Sequence, residues 1–350
     1  MKILITGNLG YLGPDIMNLL RYKHPDATLI GFDMGYFGNC ITGVVVIPES
    51  KMDVQYFGDI RQFPENILEG VDAVVHLAGI SNDPIGKKYE KVTMDVNYLA
   101  SLNLARMAER SGVSSFVFAS SCSMYGLADD CARTEDSILN PLTAYARSKV
   151  LTEKDLKFLA SENFNVTCLR FSTACGWSDR LRLDLVLNDF VAGAVASRKI
   201  TILSDGTPWR PLINVQDMAR AVDWAISRNV SNGGEFLAVN IGSDEWNYQV
   251  KDLAEAVAQS IPGVDISINK NAQPDNRSYR VNFDLFKKLA PEHQPQVDLF
   301  ESIEGLRNGL EAMGFKDEHF RNSRHMRLKV LTELQSKGLL DENLHWNVFH

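Results

Sequence analysis

Along the first half of the chain, apolar runs of strand length alternate with segments of helical period. Residues 2–6, 28–33, 54–57, 73–77, 116–120 and 166–171 read as strands. Their near-continuous apolar character suits strands covered by helices on both faces. After the first run, Ile16, Leu19 and Leu20 recur at i, i+3, i+4 with Pro14 in the first turn, which predicts a helix there. Longer helical patterns span about 89–110 and 143–161. This alternation predicts βαβ units and a doubly wound parallel α/β sheet. Beyond about residue 172 the elements shorten and mix. They comprise a strand at 200–203, a helix carrying Met218, Ala221, Val222 and Ala225, a strand at 236–241, and a helix carrying Val250, Leu253, Ala254 and Val257. Pro208, Pro211, Pro262, Pro274, Pro291 and Pro295 punctuate this half. The expected organisation is an α/β domain over 1–172 and a smaller α+β region over 173–315, with interleaving of the two left open. A charged helical extension follows over 316–350, with Leu328, Leu331 and Leu334 on one side and Gly338 as its stop.

Composition narrows the class. At 350 residues the chain exceeds the usual ceiling for a single core. Hydrophobic residues make up 45% and charged residues 23%, which excludes a disordered, collagen-like or coiled-coil chain. Lysine and arginine number 36 against 44 acidic residues, for a net charge of -8 and no long basic run. That balance argues against a nucleic-acid partner. No apolar run approaches the roughly 18 residues of a membrane span. Met1 and Lys2 lead directly into a strand, so no signal peptide is expected. Cys40, Cys122, Cys131, Cys168 and Cys175 form no CxxC pair and are odd in number. They read as reduced thiols of a cytoplasmic protein, with no metal site.

Three groups of residues carry candidate chemistry. The first is Thr6-Gly7-Asn8-Leu9-Gly10-Tyr11-Leu12-Gly13, between strand one and helix one. Its glycines permit a tight turn, close approach of backbone to a diphosphate, and close helix–strand packing. The helix N-terminus offers N–H groups to phosphate. Asp33 lies 20 residues past Gly13, at the end of strand two, where a carboxylate accepts from an adenosine ribose and repels a 2′-phosphate. The spacing therefore points to NAD rather than NADP, in a Rossmann-type sheet. The second is Gly58-Asp59-Ile60 after strand three. It reads either as an adenine contact, with Ile60 against the ring, or as an ordinary strand-end turn. The third is Tyr145-Ala146-Arg147-Ser148-Lys149, the single YxxxK among ten tyrosines. On a helix the two ends of this motif share a face, so the ammonium is expected to lower the phenol pKa toward neutrality. Ser120-Ser121-Cys122-Ser123 ends strand five, at the sheet edge where ligands bind in such folds.

Together with His76-Leu77-Ala78-Gly79, Asn97 and Ser121 through Gly126, these motifs resemble the extended short-chain dehydrogenase/reductase superfamily. Within it they resemble the NAD-dependent nucleotide-sugar epimerase/dehydratase group, from Met1 to about Leu310. The resemblance implies Tyr145 as acid/base, Lys149 on the nicotinamide ribose and Ser121 on the substrate hydroxyl. It implies a cofactor site of Gly7, Asn8, Gly10, Tyr11, Leu12, Gly13, Asp33, Asp59, Ile60, Leu77, Ala78, Gly79 and Asn97, completed by Tyr145 and Lys149. For the sugar nucleotide it implies Ser81, Ser123, Thr173 (where the family usually carries asparagine), Asn188, and a diphosphate clamp of Arg210 and Arg277. Arginine forks suit a diphosphate better than point-charge lysines. The stretch Ser178-Asp179-Arg180-Leu181-Arg182-Leu183-Asp184 reads either as a solvated loop or as a cover that carries Arg180 or Arg182 to the substrate.

The resemblance implies reversible oxidation at C4 of a nucleotide-diphosphate sugar, with a 4-epimerase as the leading reading and a homodimer as the assembly. A C4 dehydrogenase, a 4-ketosugar reductase and a non-catalytic NAD sensor are the alternatives. Relatives that dehydrate place Asp-Glu directly after the residue matching Ser121; here stand Cys122 and Ser123. A thiol and a hydroxyl make a poor acid/base pair for elimination, so 4,6-dehydration is not expected.

Overall fold

In the computed structural model, residues 1–127, 131–269 and 277–347 are described. Pro274 and the Asp275-Asn276 pair before Arg277 therefore lie outside the described residues. Six strands from the first half are β1 (Lys2–Thr6), β2 (Thr28–Asp33), β3 (Val54–Phe57), β4 (Ala73–His76), β5 (Ser115–Ser121) and β6 (Asn165–Phe171). They join the strand Phe236–Ile241 in one sheet of order Phe236–Ile241, β6, β5, β4, β1, β2, β3. Every pairing in it is parallel. The strand order reverses between β1 and β4. In a doubly wound sheet the cleft beyond the carboxyl ends of those strands is where ligands bind.

Alternate residues of the inner strands enter different cores, which is why those strands are apolar throughout, whereas the edge strand β3 is largely exposed. Ile3 and Ile5 pack with Ile16 and Leu20 of α1 (Gly13–Lys23) and with Met218 and Val222 of the helix Val215–Ser227. Leu4 faces the other way, onto Leu104 and Ala108 of the helix Ser101–Arg110 and onto Leu156. The Rossmann-type sheet is thus the fold, and its seventh strand comes from within the stretch 173–315. A boundary at residue 172 describes chain order and not spatial layers.

The remaining elements form a second core. Leu187 and Val191 of Val186–Ser197, Leu253 and Val257 of Val250–Ser260, and Ile303, Leu306 and Leu310 of Leu299–Ala312 interdigitate there. A three-stranded sheet of Asn247–Gln249, Trp209–Asn214 and Thr173–Cys175 connects this core to the carboxyl edge of the large sheet. Among the described residues, no helix is long and apolar enough to cross a membrane.

Two helical expectations change in form. The pattern over 89–110 resolves into Glu90–Met94, a π-helical stretch Asp95–Ala100 and Ser101–Arg110. Such a wider turn shifts the side-chain register locally, and it carries Asn97. The extension is helical only over Arg327–Ser336; the segment before it is turns and a 3₁₀ turn at Phe320–Asn322. Tertiary contact decided this, because Phe320 and Arg327 are buried in place of lying on a solvated helix face. Leu331 is buried, with Leu328 and Leu334 packed against the same cluster, and Gly338 ends the helix at φ 69°.

Candidate active site

The glycine loop is shaped by what a side chain would strike. At Gly7, with φ 75°, a Cβ would lie 2.5 Å from the Ala78 nitrogen. At Gly13 it would lie 1.7 Å from the Asn8 carbonyl oxygen. The loop therefore presses against β4 on one side and folds on itself at the start of α1. No side chain caps the N-terminus of α1, so its first-turn N–H groups remain for a ligand. Asp33 stands opposite: Leu9 N–H donates to Oδ2 at 3.0 Å and Gly35 N–H to Oδ1 at 2.7 Å. A carboxylate with two further lone-pair positions remains able to accept from a diol. Burial pushes the Asp33 carboxyl up, against the pull of those two N–H groups. Loop, uncapped helix and carboxylate all border one cavity of about 720 Å³. They fit an adenine dinucleotide.

Asp59 is differently engaged from the adenine reading. It caps the 3₁₀ turn Ile60–Gln62 and grips Arg61 through both oxygens, at 2.5 to 2.9 Å. It still lines the cavity beside Ile60. Asn8, Asn97 and Asn188 are buried and lie outside the cavity lining. The Asn8 amide donates to Gln55 at 2.6 Å. Asn97 brackets Ile80, accepting its N–H at 2.7 Å and donating to its carbonyl at 2.9 Å. Asn188 accepts from Gly176 N–H at 3.0 Å and donates to the Arg182 carbonyl at 2.9 Å. These three brace the loops whose backbones and side chains face the cavity. Asn188, expected near the nucleotide, holds Gly176 and the Arg182 carbonyl together in this structure.

The helix Ala144–Leu156 carries Tyr145 and Lys149 on the face that meets the end of β5. Its N-cap Thr143 accepts the Ala146 N–H at 3.1 Å and donates to Asp83 at 2.7 Å, which fixes the first turn. Ser121 lines the cavity beside Tyr145, and its Oγ accepts the Ser123 N–H at 3.1 Å. Lys149 Nζ donates to the Ala119 carbonyl at 2.6 Å and sits 4.5 Å from the Phe118 ring centroid. It lies 5.7 Å from that of Tyr145. Burial holds the Lys149 ammonium down to about 8, against the pull of Glu153. Burial raises the Tyr145 phenol to about 12, opposed by the neighbouring Ser121 hydroxyl and the charge of Arg182. The expectation that Lys149 brings the phenol toward neutrality is not met in this structure. Desolvation of the phenolate outweighs the favourable charges.

Glu153 was not read from the sequence, although it repeats the four-residue spacing from Tyr145 to Lys149. It accepts three hydrogen bonds from Arg170 at 2.8 to 3.1 Å and one from Ser120 Oγ at 2.5 Å. Both ion-pair partners are buried. This pair anchors the catalytic-face helix to β6.

Across the cavity, the charged stretch 178–184 is not a solvated loop. Leu181 and Leu183 are fully buried, and Arg180 and Arg182 nearly so. Arg180 pairs with Glu49 at 2.6 Å. Arg182 faces the cavity, pairs with Asp184 at 2.8 Å and donates to Ser81 Oγ at 3.0 Å. Ser81, Ser123 and Thr173 line the same space, and the buried Ser123 hydroxyl has no hydrogen-bond partner among the described residues. Arg210 and Arg277 meet at the cavity margin, where Arg210 donates to the Arg277 carbonyl and Arg277 pairs with Asp83 at 2.6 Å. Leu77, Ala78 and Gly79 complete the floor. Among the described residues, no cluster of His, Cys, Asp or Glu is arranged to hold a metal.

Comparison with known proteins supplies a family. The sequence model of the NAD dependent epimerase/dehydratase family matches residues 3–242. The UDP-glucose 4-epimerase of Lactobacillus helveticus is 27% identical over 285 residues, covering 76% of this chain and 83% of that protein. UDP-glucuronic acid decarboxylase 6 of Arabidopsis thaliana is 24% identical over 314 residues, covering 87% of each. The structure of UDP-glucuronic acid 4-epimerase from Bacillus cereus, in complex with UDP-glucuronic acid and NAD, aligns with a TM-score of 0.76 at 21% identity. That alignment covers 89% of this chain and 100% of the other.

Proposed function

We propose, because the chain belongs to the NAD dependent epimerase/dehydratase family, that it is an NAD-dependent epimerase acting at C4 of a nucleotide-diphosphate sugar. The observation that carries this reading is that Ser121, Tyr145 and buried Lys149 together line the cavity bordered by the glycine loop. Gly7, Gly10, Tyr11 and Leu12 hold the cofactor's diphosphate, Asp33 its adenosine ribose, and Lys149 its second ribose. NAD, when bound, supplies a reversible acceptor for the hydrogen and electron pair of the sugar carbon. As the phenolate, a form that the positive nicotinamide ring of bound NAD would favour over the phenol of the empty site, Tyr145 Oη takes the proton of the C4 hydroxyl and later returns it. Ser121 Oγ holds that hydroxyl against the phenol, and Arg182 lowers the cost of negative charge on Tyr145. Arg210 and Arg277 grip the substrate's diphosphate. The second core supplies the sugar-nucleotide side of the site, and the assembly is a cytoplasmic homodimer.

Dehydration is disfavoured by the state of the residues that follow Ser121. Cys122 is buried, its Sγ–H donates to the Arg170 carbonyl at 3.0 Å, and burial pushes the thiol far above its ordinary range. Asp83 and Asp184, which line the cavity, are each committed to an arginine. Mass spectrometry of products from UDP-, GDP-, dTDP- and CDP-hexoses tests the reading. Unchanged mass with inverted C4, read by NMR, is the expected result. Loss of two hydrogens would reassign the protein as a C4 dehydrogenase. Loss of water at a comparable turnover would overturn the exclusion of dehydration.

A further inference from the structure

The C-terminal extension joins two loops that border the cavity. One follows Asp33 at the end of β2, and the other follows β4. Leu331, Leu340 and Leu344 of the extension pack with Ile80 of the second loop, and Tyr36 and Phe37 of the first loop pack against the same cluster. The residues after Asp33 lie past the end of the β2–β3 ladder, so contacts from elsewhere must fix them.

The end of the extension supplies those contacts. It is a short hairpin closed by the bridge between Leu340 and Trp346. Asp341 holds its turn, with Oδ1 accepting the N–H groups of Asn343 and His345, each at 2.8 Å. Leu344, within this turn, has φ 60°, a left-handed conformation that a leucine adopts reluctantly. Such a conformation persists where the surroundings over-determine it. Here the Leu344 side chain is 1% exposed in the shared cluster, and its carbonyl accepts from the Tyr36 hydroxyl. Trp346 Nε1 donates to the Met34 carbonyl at 2.7 Å, and its ring centroid lies 5.7 Å from that of Tyr36. Arg61, which Asp59 grips, donates from Nη1 to the Asn343 carbonyl at 2.8 Å. The hairpin is thus fastened to the residues that follow Asp33 and Asp59. Asp33, Met34, Tyr36 and Asp59 all line the cavity, whereas Trp346 does not.

We propose that Trp346 is a positioning residue for the cofactor: by holding Met34 and Tyr36 it fixes the loop after Asp33, and with Leu344 it makes the C-terminal hairpin the outer support of the adenosine pocket. The inference rests on the NAD reading above. A loop already held in place costs less to order when a ligand arrives, so the support appears as affinity for the adenosine half of the dinucleotide. Trp346 is 37% exposed and stands outside the buried leucine cluster, so its replacement leaves that cluster in place.

Calorimetric titration of nucleotide-free full-length protein with NAD, AMP and nicotinamide mononucleotide tests this. If the wild type binds no NAD, the cofactor reading itself fails. If it does, Trp346→Ala should weaken NAD and AMP each by about tenfold, as expected for a lost hydrogen bond and a loop that must then be ordered on binding. Nicotinamide mononucleotide, which lacks the adenosine, should bind within about threefold of wild type, which also certifies the fold. Unchanged AMP affinity would overturn the proposal. So would equal losses for AMP and nicotinamide mononucleotide, which would make the hairpin a general stabiliser of the fold. Should Trp346→Ala not fold, Trp346→Phe carries the test, since it keeps a ring against Tyr36 but loses the N–H to Met34. AMP weakened by roughly two- to fivefold, with nicotinamide mononucleotide unchanged, then upholds the proposal, and unchanged AMP affinity overturns it.

Discussion

Glu153→Gln changes one buried charge with almost no change in shape, and its consequences separate into two measurements. Glu153 is ion-paired to Arg170 at 2.8 Å, with both side chains nearly out of water. Removing one partner leaves the other charged and unmatched, which costs about 3–5 kcal/mol of stability. The same carboxylate acts on Lys149, one helical turn away, whose ammonium is held down to about 8 by burial and pulled up by Glu153. Charges about 6 Å apart, the spacing of such neighbours, interact by roughly 3 kcal/mol at an effective dielectric of about 20. That is about two pH units, and Arg170, unchanged in this variant, does not alter the difference. The sign is set by the direction of the pull. Without Glu153, Lys149 loses its proton at lower pH. If the ammonium is the working form, the alkaline limb of kcat/KM moves down by up to about two pH units from its position near pH 8. The double variant Glu153→Gln/Arg170→Met removes both members of the pair. It should recover most of the lost stability in urea, yet keep the displaced alkaline limb. An alkaline limb that stays in place or moves upward in the single variant, with the protein still folded, would refute the assignment of that limb to Lys149.

Tyr145→Phe should lower kcat by about 10²–10⁴-fold while NAD still binds, because only the proton-carrying oxygen is removed; more than a tenth of wild-type kcat would remove Tyr145 from its role. Asp33→Ala should weaken NAD and narrow its advantage over NADP, as titration of both cofactors would reveal; a wild type that binds the two equally would contradict the placement of Asp33 at the ribose. Lys149 also predicts a stability trend. Its folded pKa of about 8 lies below the ordinary 10.5, so the unfolded chain binds the extra proton between those values. Stability in urea should therefore rise with pH across that window, and Lys149→Met should abolish that rise.

The parts of this protein legible in its sequence are those governed by local rules. Strands β1 and β2 and the strand Phe236–Ile241 fall where their apolar runs lie, because burial on both faces demands an unbroken apolar run, and the exposed edge strand β3 also falls on its run. The glycine loop, Asp33 and the Tyr145–Lys149 pair were likewise readable. A turn with positive φ requires glycine, and an i, i+4 spacing places two side chains on one helix face whatever the rest of the chain does. Tertiary packing alone decided the charged residues. The stretch 178–184 reads as a solvated loop from composition, but Leu181 and Leu183 draw it into the interior, and its arginines find Glu49 and Asp184 far away in sequence or folded back beside them. Asn188 became a brace because Tyr11 and Gly176 converge on it from distant segments. Burial reversed the expected pKa shift of Tyr145, since desolvation is a property of the assembled site and has no signature in spacing. Trp346 sits in a stretch with no motif around it, and nothing local marks it. Only the folding of the C-terminal extension over the end of β2 puts its indole against Met34 and Tyr36, because such a contact depends on which surfaces meet and not on the order of residues along the chain.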